Sequence, residues 1–201
     1  MVAQEAESPG GLHRGLTPWL RRCLLALWRV EIAGLAHLPK TGPVILACNH
    51  VSNMDPPLLG LSALPVRACR FLAKVELFRI PIVGWALRQT GAIALDRGRA
   101  DVAAVRAALG ALARGRCLVV FPEGTRSRDG RPGRPKAGIG FLAGRSGAPV
   151  VPARVTGTER WFLRRDLRVA FGAPLRFTGD PSDRKQCQDF AHLVMQAIFS
   201  L

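Results

Sequence analysis

The stretch that decides the reading is Gly42-Pro43-Val44-Ile45-Leu46-Ala47-Cys48-Asn49-His50-Val51-Ser52-Asn53-Met54-Asp55-Pro56-Pro57. Its first half is a short apolar run, β-branched in part and opened by Gly42-Pro43, which predicts a buried strand. Its second half is polar and places a histidine and an aspartate five residues apart. On one continuous helix those two would point roughly 140° apart, at about 100° per residue, and would not meet. The proline pair predicts another path, with Asp55 as N-cap, Pro56 as first helical residue and His50 at the strand end. One carboxylate oxygen can then cap the helix while the other accepts the imidazole N–H. That fixes the tautomer and leaves the second ring nitrogen free to take a proton. Taken alone, the pair can also be a loop-edge histidine beside an ordinary cap.

Outward from this stretch, strand-like and helix-like segments alternate. A helix of about 8–10 residues should follow and end near Pro65. Strands are predicted over 66–73, 91–95, 117–121 and 149–155, with a last strand or hairpin in 167–177. Helices are predicted over 101–114, 136–147 and 182–200. Residues 1–15 read as a loose tail. Thr17-Pro18 reads as the start of a helix carrying Trp19, Trp28 and an arc of Arg21, Arg22 and Arg29. That helix either packs on the core with a basic outer edge or lies in a membrane interface. The whole is a single α/β domain, a mostly parallel or mixed central sheet flanked by helices. The division is a tail (1–15), an N-terminal amphipathic helix (16–34) and the α/β domain (35–201).

At 201 residues and 48% hydrophobic content the chain can bury a real core, which argues against disorder. The formal net charge is +15, and most of the 29 basic residues are arginine. Such a balance calls for an anionic partner: nucleic acid, an anionic membrane or phosphorylated substrates. The five cysteines, at 23, 48, 69, 117 and 187, have no C-x-x-C spacing. They read as buried thiols in a reducing compartment. Residues 1–30 show no signal peptide with a small-residue cleavage site, and no segment is long and apolar enough to span a bilayer.

Three predicted strands end in polar clusters: Asn49-His50, Asp96-Arg97 and Glu123-Gly124-Thr125-Arg126. Ligands of α/β sheets bind beyond strand ends, so these clusters converge if they share an edge. Arg97 and Arg126 would then suit a phosphate, and Gly124 would let a ligand approach the backbone. There is no G-x-S-x-G elbow and no P-loop, and the four histidines have no metal-ligand spacing.

With these residues in place the chain resembles the 1-acyl-sn-glycerol-3-phosphate acyltransferases of the wider glycerolipid acyltransferase superfamily. The resemblance covers about residues 40–160 in four ordered blocks. N-H-x-S-x-x-D is met by Asn49, His50, Ser52 and Asp55; G-x-I-x-x-D-R by Gly91, Ile93, Asp96 and Arg97. F-P-E-G-T-R-S is complete from Phe121 to Ser127, and a V-P-x-x-V-like strand is met by Val151, Pro152 and Val155. Ala94 stands where an aromatic is usual, and Arg154 where a small or apolar residue is common. The resemblance implies transfer of an acyl group from acyl-CoA or acyl-carrier protein to the sn-2 hydroxyl of lysophosphatidate, giving phosphatidate. Another lysophospholipid or a lyso-aminolipid is the alternative acceptor. His50 would be general base and Asp55 its orienting partner. Lys74, Arg97 and Arg126 would bind the acceptor phosphate, and Glu123, Gly124 and Thr125 would belong to the same substrate site. Backbone N–H groups at the helix start after His50 would hold the oxyanion. The apolar run 77–85 would line an acyl channel or pack in the core. No cofactor and no metal are implied. The N-terminal helix then belongs on an anionic membrane surface, with the protein peripheral or monotopic on the cytoplasmic face. The positive charge answers lipid and donor phosphates, not nucleic acid.

Overall fold

The computed structural model describes residues 11–96, 101–127, 132–162 and 166–201. Seven strands form one sheet: β1 (Arg29–Ala33), β2 (Val44–Cys48), β3 (Cys69–Lys74), β4 (Ile93–Leu95), β5 (Cys117–Val120), β6 (Val150–Thr156) and β7 (Asp166–Phe171). Their spatial order is β1-β7-β6-β2-β5-β3-β4. Every neighbouring pair is parallel except β6 with β7. The helices are α1 (Gly11–Leu27), α2 (Asp55–Ala63), α3 (Pro81–Gln89), α4 (Val102–Ala113), α5 (Gly138–Ser146) and α6 (Arg184–Phe199).

The central strand shows why the sheet has two covered faces. All five residues of β2 are buried, and strand geometry sends them alternately up and down. Ile45 and Ala47 meet Leu112 of α4, Leu142 of α5 and Val194 of α6. Val44, Leu46 and Cys48 meet Leu58 and Leu59 of α2. A continuous apolar run is what a strand covered on both faces requires.

From β2 the chain moves one way to β3 and β4, returns to insert β5, then crosses to the other side of β2 for β6. The change of direction falls around β2, where open α/β sheets form their ligand crevice. Because β2, β3, β4, β5 and β6 all run parallel, their carboxyl ends lie on one edge.

Two elements differ from expectation. The first helix begins at Gly11, not at Thr17, and runs through Pro18. It stops at Leu27, because Arg29–Ala33 leaves the helix to pair with β7. The sheet therefore starts at Arg29, and the domain boundary placed at residue 35 moves back to include β1.

Candidate active site

His50 leaves the carboxyl end of β2, where Asn49 fixes the chain. The Asn49 amide donates to the carbonyl of Val155 at 2.9 Å and accepts its N–H at 2.8 Å. This two-way pairing continues the β2–β6 ladder through a side chain. The His50 carbonyl accepts the N–H of Ser127, and its own N–H donates to Glu123 Oε1. The backbone around His50 is thus held from β6 on one side and from the loop after β5 on the other.

Asp55 is completely buried, at 0% exposure. Its Oδ2 accepts His50 Nδ1 at 2.9 Å, Val51 N–H at 2.6 Å and Ser52 N–H at 2.7 Å. Its Oδ1 accepts the hydroxyl of Thr158. An ionised carboxylate is acceptor-only and satisfies all four donors. The imidazole hydrogen therefore sits on Nδ1, and Nε2 keeps its lone pair. The predicted pairing of His50 with Asp55 is present. The predicted cap is not: Asp55 is the first residue of α2, and Met54 stands at the N-cap without a side-chain bond. Oδ2 turns back to three donors of the preceding loop and Oδ1 to Thr158 beyond β6, and these four outbid a single helix N–H.

The imidazole also lies against Phe121, with ring centroids 4.2 Å apart and planes at 24°. One edge held by Asp55 and one face held by Phe121 leave His50 little rotational freedom. His50 opens onto a cleft of about 2380 Å³, lined by Phe121, Thr125, Arg126, Lys74 and Leu77 among others. Cys48, next in the chain to this site, is no nucleophile. Burial, then the nearby Asp55 carboxylate, pushes its thiol well above the ordinary range.

The other predicted site residues fall on the same sheet edge in different roles. Thr125 and Arg126 are exposed and line the cleft. Lys74, at the end of β3, lines it as well and lies 3.9 Å from Glu76. Glu123 is buried at 6%, and its second oxygen accepts the N–H of Gly133. Its carboxylate therefore joins two backbone segments. Gly124 has φ +70, and a Cβ there would lie 2.8 Å from Lys136 Cε. The space it frees is occupied by that lysine, so the glycine serves the turn and the Lys136 side chain. Asp96, whose N–H donates to Asp101 Oδ2, follows β4 on this edge. Arg97 lies outside the described residues. Most of the expected oxyanion donors are spent, Asn53 N–H being the one without a partner in this turn among the described bonds. Val51 and Ser52 N–H bind Asp55, Met54 N–H binds Ser52 Oγ, Asp55 N–H binds the Ser52 carbonyl, and Pro56 and Pro57 carry none.

Arg154 turns away from this site. Its guanidinium donates to the carbonyl of Phe199 and lies 5.2 Å from that ring, which ties α6 to β6. Ala94 does line the cleft. Thr158 was missed in the sequence. Its signal was available, since Gly157-Thr158 follows β6 as the other polar clusters follow their strands. Among the described residues no helix is long and apolar enough to cross a membrane, and no three His, Cys, Asp or Glu residues are grouped as metal ligands would be.

The structure thus combines a mixed α/β sheet with a buried His–Asp pair at its carboxyl edge, beside a large and mainly apolar cleft. The Acyltransferase family model matches residues 29–156, and the chain belongs to that family. It is 34% identical over 169 residues to a protein of Brassica napus named 1-acyl-sn-glycerol-3-phosphate acyltransferase, chloroplastic, covering 78% of this chain and 48% of that one. It is 33% identical over 154 residues to the 1-acyl-sn-glycerol-3-phosphate acyltransferase of Borreliella burgdorferi, covering 72% of this chain and 60% of that one. The chain spans less than half the length of the Brassica protein. The crystal structure of the 1-acyl-sn-glycerophosphate (LPA) acyltransferase of Thermotoga maritima is similar, with a TM-score of 0.71 and 27% identity, covering 94% of this chain and 82% of that one.

Proposed function

We propose that the chain transfers a fatty acyl group from a thioester, acyl-CoA or acyl-carrier protein, to the sn-2 hydroxyl of 1-acyl-glycerol-3-phosphate, giving phosphatidate. The observation that carries this is the fixed His50 imidazole, hydrogen-bonded through Nδ1 to buried Asp55 and lining a mainly apolar cleft. Nε2 takes the proton of the acceptor hydroxyl as the oxygen attacks the thioester carbonyl. The C–S bond then breaks, and the imidazolium returns the proton to the leaving thiolate. Asp55 stabilises the imidazolium in between. No acyl-enzyme is needed. The oxyanion falls to backbone N–H groups beside His50 at Asn53 and Thr125, residues that line the cleft. Arg126, with Lys74 and Arg97, binds the acceptor phosphate.

The exposed Trp19, Leu20 and Leu27 of α1 support placing that helix on an anionic membrane, the protein being peripheral or monotopic on the cytoplasmic face. The second acceptor reading, another lysolipid, keeps one support, Ala94 in the cleft wall. Arg154 no longer bears on it.

Purified protein given lysophosphatidate and a long-chain acyl thioester should form phosphatidate. His50→Ala should lower kcat by about 100- to 10,000-fold. Normal turnover by that variant would sink the mechanism. Arg126→Ala should raise KM for the phosphorylated acceptor and spare a neutral monoacylglycerol, whereas an equal effect on both removes it from the phosphate site.

A further inference from the structure

The segment Val75–Gln89 carries apolar side chains that stay exposed among the described residues. It consists of a 3-10 turn (Val75–Arg79) followed by α3. Ile82 is 82% exposed and Trp85 45%, with Leu77, Ile80 and Val83 also exposed. Core packing of this run, one of the two sequence expectations, is excluded by those values.

The segment is nonetheless ordered into a tight knuckle. Gly84 donates to the carbonyl of Ile80 at 2.6 Å and backs directly onto the carbonyl of Phe78, where a Cβ would overlap. Arg88 donates to that same carbonyl at 3.1 Å. A compact element that holds an isoleucine and a tryptophan in water is built to be covered by something else.

Three observations identify the cover. Lys74, Arg79 and Arg88 flank the apolar tip, and the one acid of the segment, Glu76, lies within 3.9 Å of Lys74. An apolar tip with a tryptophan and framing cations is the pattern of an interfacial anchor. A second copy of this knuckle would bring Arg79 and Arg88 against their own kind. An acidic protein would answer the cations and leave Ile82 unmatched. Finally, Leu77, Ile80, Ile82, Val83 and Trp85 line the cleft that holds His50. A lipid could pass from an acyl layer into the cleft along them without crossing water.

We propose that the Val75–Gln89 knuckle penetrates an anionic lipid bilayer, with Ile82 and Trp85 among the acyl chains and Arg79 and Arg88 at the headgroups. It is a docking element separate from α1. The choice of a bilayer rests on the lipid acyltransferase reading above.

The test uses the full chain with Trp19, Trp28 and Trp161 replaced by Phe, so that Trp85 alone emits. Vesicles of phosphatidylcholine and phosphatidylglycerol with brominated acyl chains should quench Trp85 and shift its emission to the blue. In the natural chain, Ile82→Asp should weaken sedimentation with such vesicles about tenfold. Vesicles of phosphatidylcholine alone should bind more weakly than those with phosphatidylglycerol. Unquenched Trp85 on protein that still sediments with vesicles would show α1 acting alone and overturn the proposal. So would a blue shift that depends on protein concentration without vesicles, which marks self-association. Acyl transfer is measured on the same preparations. Turnover without Trp85 quenching sinks only the knuckle, and quenching without turnover sinks only the proposed function.

Discussion

Four donors converge on the Asp55 carboxylate, and three of them lie within five residues of it. The fourth, Thr158, is 103 residues away in sequence. It is fully buried, and its hydroxyl is the one side-chain donor to Oδ1 that the structure describes. Replacing it with Val would leave that oxygen without a partner in a site that water does not reach. Thr158→Val should cost about 1–3 kcal/mol in chemical denaturation. It should also lower kcat by about tenfold while leaving acceptor KM nearly unchanged. Thr158→Ser should recover most of both losses. If Ser and Val behave alike, the hydroxyl is not what positions Asp55. The His50–Asp55 pair was legible because it is local: a strand end, a short polar turn and a proline-led helix leave few ways to arrange five residues. Thr158 could be read as one more polar strand end, but not as a partner of Asp55, because that pairing is set by β6 lying beside β2 and no spacing rule spans the distance. Glu123 shows a second limit. A glutamate in a polar cluster reads as a ligand, yet its two oxygens are taken by His50 and Gly133 N–H groups, and only the surrounding backbone reveals that.

At the scale of elements, the helices whose ends carry their own caps were the easiest to read. Asp101 accepts from Ala104 N–H at the head of α4. Asp183 accepts from Lys185 and Gln186 N–H at the head of α6. The Gln186 side chain, followed by the Gln186 and Lys185 N–H groups, holds the Asp183 carboxyl below its usual range. A carboxylate with a depressed folded pKa stabilises the fold above its unfolded value, and that contribution fades as pH falls through the folded one. Asp183→Asn keeps a cap oxygen and removes the charge. The natural chain should therefore resist urea better than this variant at neutral pH, and the two midpoints should converge in acid. A gap that persists in acid would mean the charge is irrelevant. β1 was the element lost to the sequence reading. Arg29-Val30-Glu31-Ile32-Ala33 does alternate, but it follows a helix whose apolar stripe runs on through Trp28 and Val30. Its partner, β7, begins at Asp166, and a strand of five residues says little about itself until that partner is known.

Across the whole molecule the parallel strands give the sheet two unlike edges. The carboxyl edge gathers His50, Glu123, Thr125, Arg126 and Thr158, and its loops hold one another through hydrogen bonds. The opposite edge is fastened by Arg67, whose guanidinium donates to the carbonyls of Pro39, Gly42 and Gly115. Those three points belong to the approach to β2 and the approach to β5, so one side chain ties the starts of adjacent strands. Arg67→Met should lower stability by about 2–3 kcal/mol and leave acceptor KM unchanged, as read by urea denaturation and initial rates. A shift in KM would mean the two edges are coupled. That His50 and the cluster from Glu123 to Arg126 would share one edge could be anticipated, because alternating strands and helices favour parallel pairing. The order β1-β7-β6-β2-β5-β3-β4 could not, and neither could the reversal of β7, since the order of neighbours leaves no mark on any single segment.

The stacking of Phe121 on His50 has a magnetic consequence. Circulating π-electrons shield nuclei held over the face of an aromatic ring. The carbon-bound imidazole protons of His50 should therefore resonate upfield of their usual position and apart from those of His13, His37 and His192. Those two resonances would follow the His50 ring without any label. An acyl donor that displaced Phe121 on entering the cleft would announce itself by moving the signal back downfield.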